Sequence, residues 1–222
     1  LFVFSLAFYY WGEHELVIFL LLSVLLNFSL GYFIEKTRKS KGKNNKLSVV
    51  ILVLAVLYNL GSLAYFKYAG FLFENISAGL HTPISFPAIA LPIGISFYTF
   101  QAISYIVDVY RNDVPACRNI IDFGCYLTFF PQLIAGPIIR YIDVSKQLKY
   151  RKIHIAGFAY GVERFIMGLG KKVLIANTLG RGADIIFSSP IDDMGAVIYW
   201  LGAVLYALQI YFDFSGYSDM AI

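Results

Sequence analysis

The chain has 222 residues, of which 59% are hydrophobic, 18% aromatic and only 14% charged, and its mean hydropathy is +0.67. Those proportions exclude an ordinary soluble globular domain and indicate an integral membrane protein. The net charge of +4 does not point to nucleic acid, because the basic residues lie between apolar runs, where orientation in a bilayer accounts for them.

Leu1 lies inside an apolar run with no initiator Met, basic leader or small-residue cleavage site, so the sequence reads as cut at both ends. A span of ~20 apolar residues crosses the ~30 Å hydrocarbon core. Leu1 to Trp11 reads as part of a helix, Gly12 to Glu15 as a polar turn, and Leu16 to Ile34 and Leu47 to Phe66 as full spans. Between these spans, Glu35 to Lys46 carries six Lys or Arg against one Glu, a solvated loop that the positive-inside rule places in the cytoplasm. Tyr68 to Ala90 contains Pro and Gly but no Lys or Arg and reads as an extracytoplasmic loop.

Leu91 to Tyr110 returns inward. The next apolar run leads into Arg140 to Lys152, with five basic residues and one Asp, so two consecutive loops would be cytoplasmic. Making Phe123 to Ile139 re-entrant resolves the conflict, with Pro131, Gly136 and Pro137 breaking the helix. Non-helical backbone at that depth needs protein or a water-filled cavity around it. His154 to Ala176 then goes outward and Ala196 to Phe212 comes back, joined by an outer loop from Arg181 to Gly195 with three Asp and one Arg. The expectation is an all-α polytopic protein of about six spans forming a single membrane domain over residues 1–222, with N-terminal helices to about residue 90 and a core over 91–222.

Ionisable residues inside spans point to function or to internal pairing. Gln101, Tyr105 and Asp108 share one helix face. In the re-entrant segment Gln132 is placed to orient a ligand, and Arg140 either meets a phosphate or carboxylate or anchors the chain at the interface. Gly157 and Gly161 form a small-xxx-small face for helix packing. Arg164, Gly168 and Lys171 line a cationic stripe that Glu163 partly neutralises, while snorkelling at the interface is the better reading of Lys171 and Lys172. Gln209, Asp213, Gly216 and Met220 recur at helical spacing, with Tyr211, Ser215, Ser218 and Asp219 spreading polarity round the same helix; interface solvation suffices for Asp219 but not for Asp213. His14, His81 and His154 lie at the edges of spans, the two cysteines suggest neither disulfide nor metal, and no metal spacing or phosphate loop occurs.

Four phrases in order, "LPIGISFYTFQAISYIVDVYR", "LTFFPQLIAGPIIRY", "RFIMGLGKKVLIAN" and "QIYFDFSGYSDMAI", resemble the membrane-bound O-acyltransferase family, in particular its alginate O-acetylation branch. The resemblance covers Leu91 to Ile222. It implies a ring of transmembrane helices around a tunnel, in a multi-pass protein of the bacterial inner or plasma membrane. It also implies an acyl thioester, acetyl-CoA or an acyl carrier, as cosubstrate with no bound cofactor, and an extracytoplasmic polysaccharide or partner acyltransferase as acceptor. The family's essential His belongs to a later phrase close to "WRRWHISLS", so no catalytic residue is expected before Ile222. On that footing Gln132, Asp213, Ser215, Tyr217, Gln101 and Asp108 are candidates for the tunnel and donor path, and Arg140, Arg164 and Lys171 for the donor's phosphates. The alternatives are D-alanyl transfer to teichoic acid, a transporter or flippase, and a non-enzymatic scaffold.

Overall fold

The structure is a computed structural model that describes residues 1–41, 45–80, 90–133, 136, 139–149, 154–190 and 195–221. Among these the secondary structure is helical throughout, and the chain divides into two compact units, residues 1–134 with 138–151 and residues 135–137 with 152–222. Three stretches are long and apolar enough to cross a bilayer: Phe2–Ser40, Lys46–Leu80 and Ala196–Met220. The protein is therefore all-α and membrane-integral. The expected spans at Leu91 to Tyr110 and His154 to Ala176 are not among the three, the former helix being too short and the latter carrying Glu163, Arg164, Lys171 and Lys172.

The first unit begins with α1 (Phe2–Glu13), a 3-10 turn at His14–Leu16, and α2 (Val17–Lys41). His14 takes φ 44°, so the polar turn expected at Gly12 to Glu15 exists and is tight. At 1.5 Å per residue, the 25 residues of α2 extend about 37 Å, more than the ~30 Å core requires. The helix consequently carries Glu35, Arg38 and Lys39 beyond the apolar run, so the solvated loop expected from Glu35 is helix as far as Lys41, and residues 42–44 lie outside the described part. Glu35 and Arg38 are in fact buried. Similarly α3 (Lys46–Leu80) runs fourteen residues past the expected end at Phe66, so the outer loop expected from Tyr68 is helix as far as Leu80, and residues 81–89, with His81, lie outside the described part.

Two asparagines tie α2 to α3 in mid-helix. Asn59 Nδ2 donates to Asn27 Oδ1 at 2.7 Å and Asn27 Nδ2 returns to Asn59 Oδ1 at 3.2 Å, with both residues buried. An unpaired amide in hydrocarbon costs several kcal/mol, whereas an interhelical bond of this kind contributes about 0.6 kcal/mol and at most about 1.7. Asn59→Leu alone is therefore expected to destabilise by about 1–3 kcal/mol, and Asn27→Leu/Asn59→Leu by less than the sum of the single changes. A double-mutant cycle on thermal unfolding in detergent checks this; additive changes would contradict it.

At the basic end of α2, Glu35 accepts from Arg118 (2.8 Å) and the Ala116 amide (3.2 Å) and pairs with Lys39 at 2.5 Å. Arg38 donates to the carbonyls of Val109 and Tyr110 at 2.9 and 3.0 Å and to Asn112, placing a cation on the last carbonyls of α4 (Ile95–Arg111). Because Glu35 is the buried member and Arg118 and Lys39 are half exposed or more, deleting the cations is the harsher change. Arg118→Ala/Lys39→Ala leaves a buried carboxylate uncompensated and is expected to cost about 3–5 kcal/mol, more than Glu35→Gln, which strands only exposed cations and weakens the Ala116 bond. Chemical denaturation of the two variants gives the order directly.

Helix α4 starts at Ile95 instead of Leu91 because Gly94 adopts the left-handed conformation, φ 72°, and the Ile95 amide turns back to the Pro92 carbonyl at 3.2 Å. Asn119 caps α5 (Ile120–Thr128), its side chain accepting from the Ile121 amide at 2.9 Å. The break expected at the "PQLIAGP" stretch begins earlier, at Phe129, and Pro131 sits in a single helical turn, α6 (Phe130–Leu133). Pro131 has no amide hydrogen for the Leu127 carbonyl and its ring crowds that turn, so continuous helix fails before it. Ile139 and Arg140 lead into α7 (Tyr141–Lys149), and residues 134, 135, 137 and 138, with Pro137 of the expected break, lie outside the described part. Tyr105, Phe123, Tyr126 and Tyr141 form one aromatic core here, with ring centroids 4.7–6.1 Å apart.

The second unit is a helical hairpin. α8 (Ile155–Gly170) continues through a π-helical turn, Lys171–Ala176, into α9 (Asn177–Ser188), and α10 (Ala196–Met220) packs back along it. The outer loop expected from Arg181 is corrected: helix continues to Ser188, and residues 191–194 lie outside the described part.

Candidate functional site

In the second unit the close approach of two backbones sets the geometry. A Cβ added to Gly168 would lie 2.4 Å from the Gly216 carbonyl oxygen, and one added to Gly216 would lie 2.7 Å from that of Gly168. Gly180 is likewise covered by the Gln209 amide and Gly202 by Ile186. Among the described residues the helix-packing glycines are thus Gly168, Gly180, Gly202 and Gly216, whereas a Cβ at Gly157 or Gly161, on the face expected to pack, would meet nothing within 4 Å.

The π turn follows this crossing. A π turn carries one residue more than an α turn, and here two consecutive lysines reach carboxylates six residues apart on α10, about 9 Å along its axis. Lys171 Nζ pairs with Asp219 Oδ2 at 2.5 Å and donates to Ser215 Oγ at 3.1 Å, and Arg164 pairs with the other oxygen of Asp219. Lys172 pairs with Asp213. Asp219 is the buried carboxylate, 6% exposed. Interface solvation is therefore the wrong account of Asp219, and snorkelling the wrong account of Lys171 and Lys172: all three are held in ion pairs. The neutralising partner of the stripe is Asp219 and not Glu163, which is exposed. Arg164, Lys171 and Asp219 leave one net positive charge at the crossing, and the buried Nε of Arg164 has no hydrogen-bond partner among the described residues.

Beside the Lys172–Asp213 pair lies an open cavity of about 320 Å³ lined by Lys172, Ile210, Asp213, Phe214, Tyr217 and Met220. Of the candidates on α10, Asp213 and Tyr217 face this cavity, while Ser215 belongs to the Asp219 cluster.

The first unit holds a separate group. The shared face of Gln101, Tyr105 and Asp108 is buried, and each member has a partner. Gln101 Nε2 donates to the Tyr126 carbonyl at 3.1 Å, and the Tyr105 hydroxyl accepts from the Cys117 amide at 2.9 Å. Asp108 receives the fork of Arg140, with Nη2 to Oδ1 at 2.5 Å and Nε to Oδ2 at 3.2 Å. Asp113 stands 3.8 Å from the same guanidinium. The hydrogen bond from Arg140 to Asp108 raises the arginine's already high pKa, so its charge is permanent. Gln132 is half-buried on α6.

The sequence reading missed Glu35, Arg38, Asn27, Asn59 and Gly94. For Asn27 and Asn59 a signal was present, a single amide in the middle of each apolar run. For Gly94 none was, since its left-handed conformation follows from what packs on it.

A family model described as MBOAT, membrane-bound O-acyltransferase family, matches residues 4–222. The chain belongs to the membrane-bound O-acyltransferase family. Among curated members, it is 43% identical over 222 residues to a Pseudomonas aeruginosa protein named "Probable alginate O-acetylase AlgI", covering 98% of this chain and 42% of that protein. It is 29% identical over 245 residues to the "Peptidoglycan O-acetyltransferase" of Helicobacter pylori, covering 98% of this chain and 45% of that one. To the "Teichoic acid D-alanyltransferase" of Lacticaseibacillus rhamnosus it is 28% identical over 220 residues, covering 90% and 48%. The chain thus spans less than half the length of these members of the membrane-bound O-acyltransferase family.

Proposed function

We propose that the full-length protein is a membrane-bound O-acyltransferase that moves an acyl group, acetyl in the first instance, from a thioester donor in the cytoplasm to a hydroxyl of an extracytoplasmic polysaccharide. The observation that carries this reading is the match over nearly the whole chain to proteins named for alginate O-acetylation, at 41–43% identity. Identity to the teichoic acid D-alanyltransferases is 27–28%, which favours acetyl over D-alanyl. The reading also takes the protein as resident in a bacterial inner membrane, with a ring of helices around a tunnel and a partner acyltransferase or the polysaccharide itself on the outer side.

In the reaction the acceptor oxygen attacks the thioester carbonyl carbon, the carbon–sulfur bond breaks, and the thiol leaves with the proton that the hydroxyl lost. A base must take that proton, and dipoles must meet the developing oxyanion. The base in this reading is the histidine that the family resemblance places after Ile222. Asp213 and Tyr217, on the wall of the α10 cavity, and Ser215 on the same helix serve the donor path, and Gln132 on α6 is a separate candidate in the first unit. Arg164 and Lys171, with their net positive charge, meet the donor's phosphates.

The experiment is restoration of polysaccharide O-acetylation. Expressing the full-length protein in a host that makes the polymer but lacks its own membrane acyltransferase should restore ester-linked acetate. Unchanged acetate content at normal protein level would remove the proposal, and transport of intact polymer without thioester consumption would replace it with a flippase reading.

A further inference from the structure

Gly94, Gln101 and Asp108 are spaced by seven residues. Seven residues of α-helix fall about 20° short of two full turns, so the three positions lie along one face of α4 over about 21 Å. Each meets a different point of the broken segment that follows. A Cβ at Gly94 would lie 2.1 Å from the Leu133 carbonyl oxygen, so the turn α6 rests on the bare Cα there. Gln101 holds the Tyr126 carbonyl on α5, and Asp108 holds Arg140 through both of its carboxylate oxygens. Tyr126 links the outgoing and returning limbs, its hydroxyl donating to the Ile139 carbonyl at 3.0 Å. Around Gly94, Phe8 packs on Phe130 with ring centroids 5.4 Å apart, and the Tyr9 hydroxyl donates to the Ile93 carbonyl at 3.2 Å.

The path is that of a hairpin. It leaves the end of α4 near Cys117, where Tyr105 takes the amide, reaches the opposite end of α4 at Leu133, and is back beside Asp108 at Arg140.

We infer that the Gly94, Gln101 and Asp108 stripe is a docking rail that fixes the depth of the re-entrant hairpin, and that Gln101, Asp108 and Arg140 are positioning residues for acyl transfer. This rests on the function proposed above, and it assigns Arg140 to the rail instead of to the donor's phosphates. The Asp108 carboxylate takes the Nε–Nη2 edge of the guanidinium, which fixes Arg140 against α4.

Two measurements on the full-length protein test the rail. The first is independent of activity: Gln132→Cys on α6 is labelled with a membrane-impermeant maleimide in intact and inverted vesicles. Asp108→Asn or Arg140→Met should change the labelling rate several-fold from at least one side, and the exchanged pair Asp108→Arg/Arg140→Asp should return it toward the parent. Unchanged labelling would overturn the rail even if the protein turned out to catalyse nothing. The second is steady-state acyl transfer at matched levels of monodisperse protein. Asp108→Asn and Arg140→Met should lower kcat about 10- to 100-fold, the scale expected of small misplacements, with the thioester KM little changed. A raised KM for the thioester at unchanged kcat would return Arg140 to phosphate binding and overturn the assignment. No acylation by the parent protein, with labelling changed as expected, would sink the proposed function and leave the rail standing.

Discussion

Replacing Asp219 with alanine is expected to lower stability by about 2 kcal/mol and to loosen α10 from α8. The magnitude lies between two limits. An exposed ion pair contributes about 0–1 kcal/mol, and breaking a fully buried one costs about 3–5. Asp219 is buried, but Arg164 and Lys171 retain about 30% of their side-chain surface, so water compensates part of the charge left behind. The ordering is sharper than the magnitude. Asp219→Ala strands two cations, whereas Lys171→Met leaves Asp219 paired with Arg164 and should cost less. Thermal unfolding of the purified variants in detergent measures both. A Lys171→Met variant less stable than Asp219→Ala would show that the lysine does something other than neutralise this carboxylate.

Substituting Gly94 with alanine should be harsher, since two penalties act at one atom. A side chain in the left-handed conformation costs about 1–2 kcal/mol, and the new methyl would sit 2.1 Å from a carbonyl oxygen of the main chain, which cannot rotate away. Overpacking of this kind adds about 1–3 kcal/mol. Against a total of about 5–15 kcal/mol for a folded domain, the sum is enough to deplete folded protein. Yield of monodisperse protein and its unfolding temperature report it. Gly157→Ala is the matched control, because a Cβ there would meet nothing within 4 Å among the described residues, and it should be neutral. Equal loss in both would mean that the contact between Gly94 and Leu133 does not hold the hairpin.

What the sequence disclosed divides along physical lines. The shared face of Gln101, Tyr105 and Asp108 was legible because helical period is local, and their burial followed from it. The interruption after α5 was legible from Pro131, which lacks an amide hydrogen and crowds the preceding turn, and the helix breaks just before it, at Phe129. Where α2 and α3 end was not legible, because hydropathy tracks solvation, whereas a helix continues through charged residues as long as tertiary partners accept them. Arg38 and Glu35 are such residues, solvated by composition and buried by their contacts with Val109, Tyr110 and Arg118. The ion pairs of Asp219 join residues 48 and 55 positions apart, and nothing local announces them. Gly157 and Gly161 had the right spacing for close packing, but spacing states only that a neighbour is possible, and the neighbour is at Gly168 and Gly216.

The measurement that bears most directly on the central claim is the sidedness of acyl transfer by the full-length protein. Radiolabelled acetyl thioester is supplied to the face of sealed vesicles that carries the end of α2 and the start of α3, with the acceptor polysaccharide enclosed on the other face. The account predicts ester-linked label on the enclosed polymer, stoichiometric release of thiol outside, and loss of both on replacing the histidine expected beyond Ile222. Label that stays on the donor side, or thiol release that survives loss of that histidine, would contradict it.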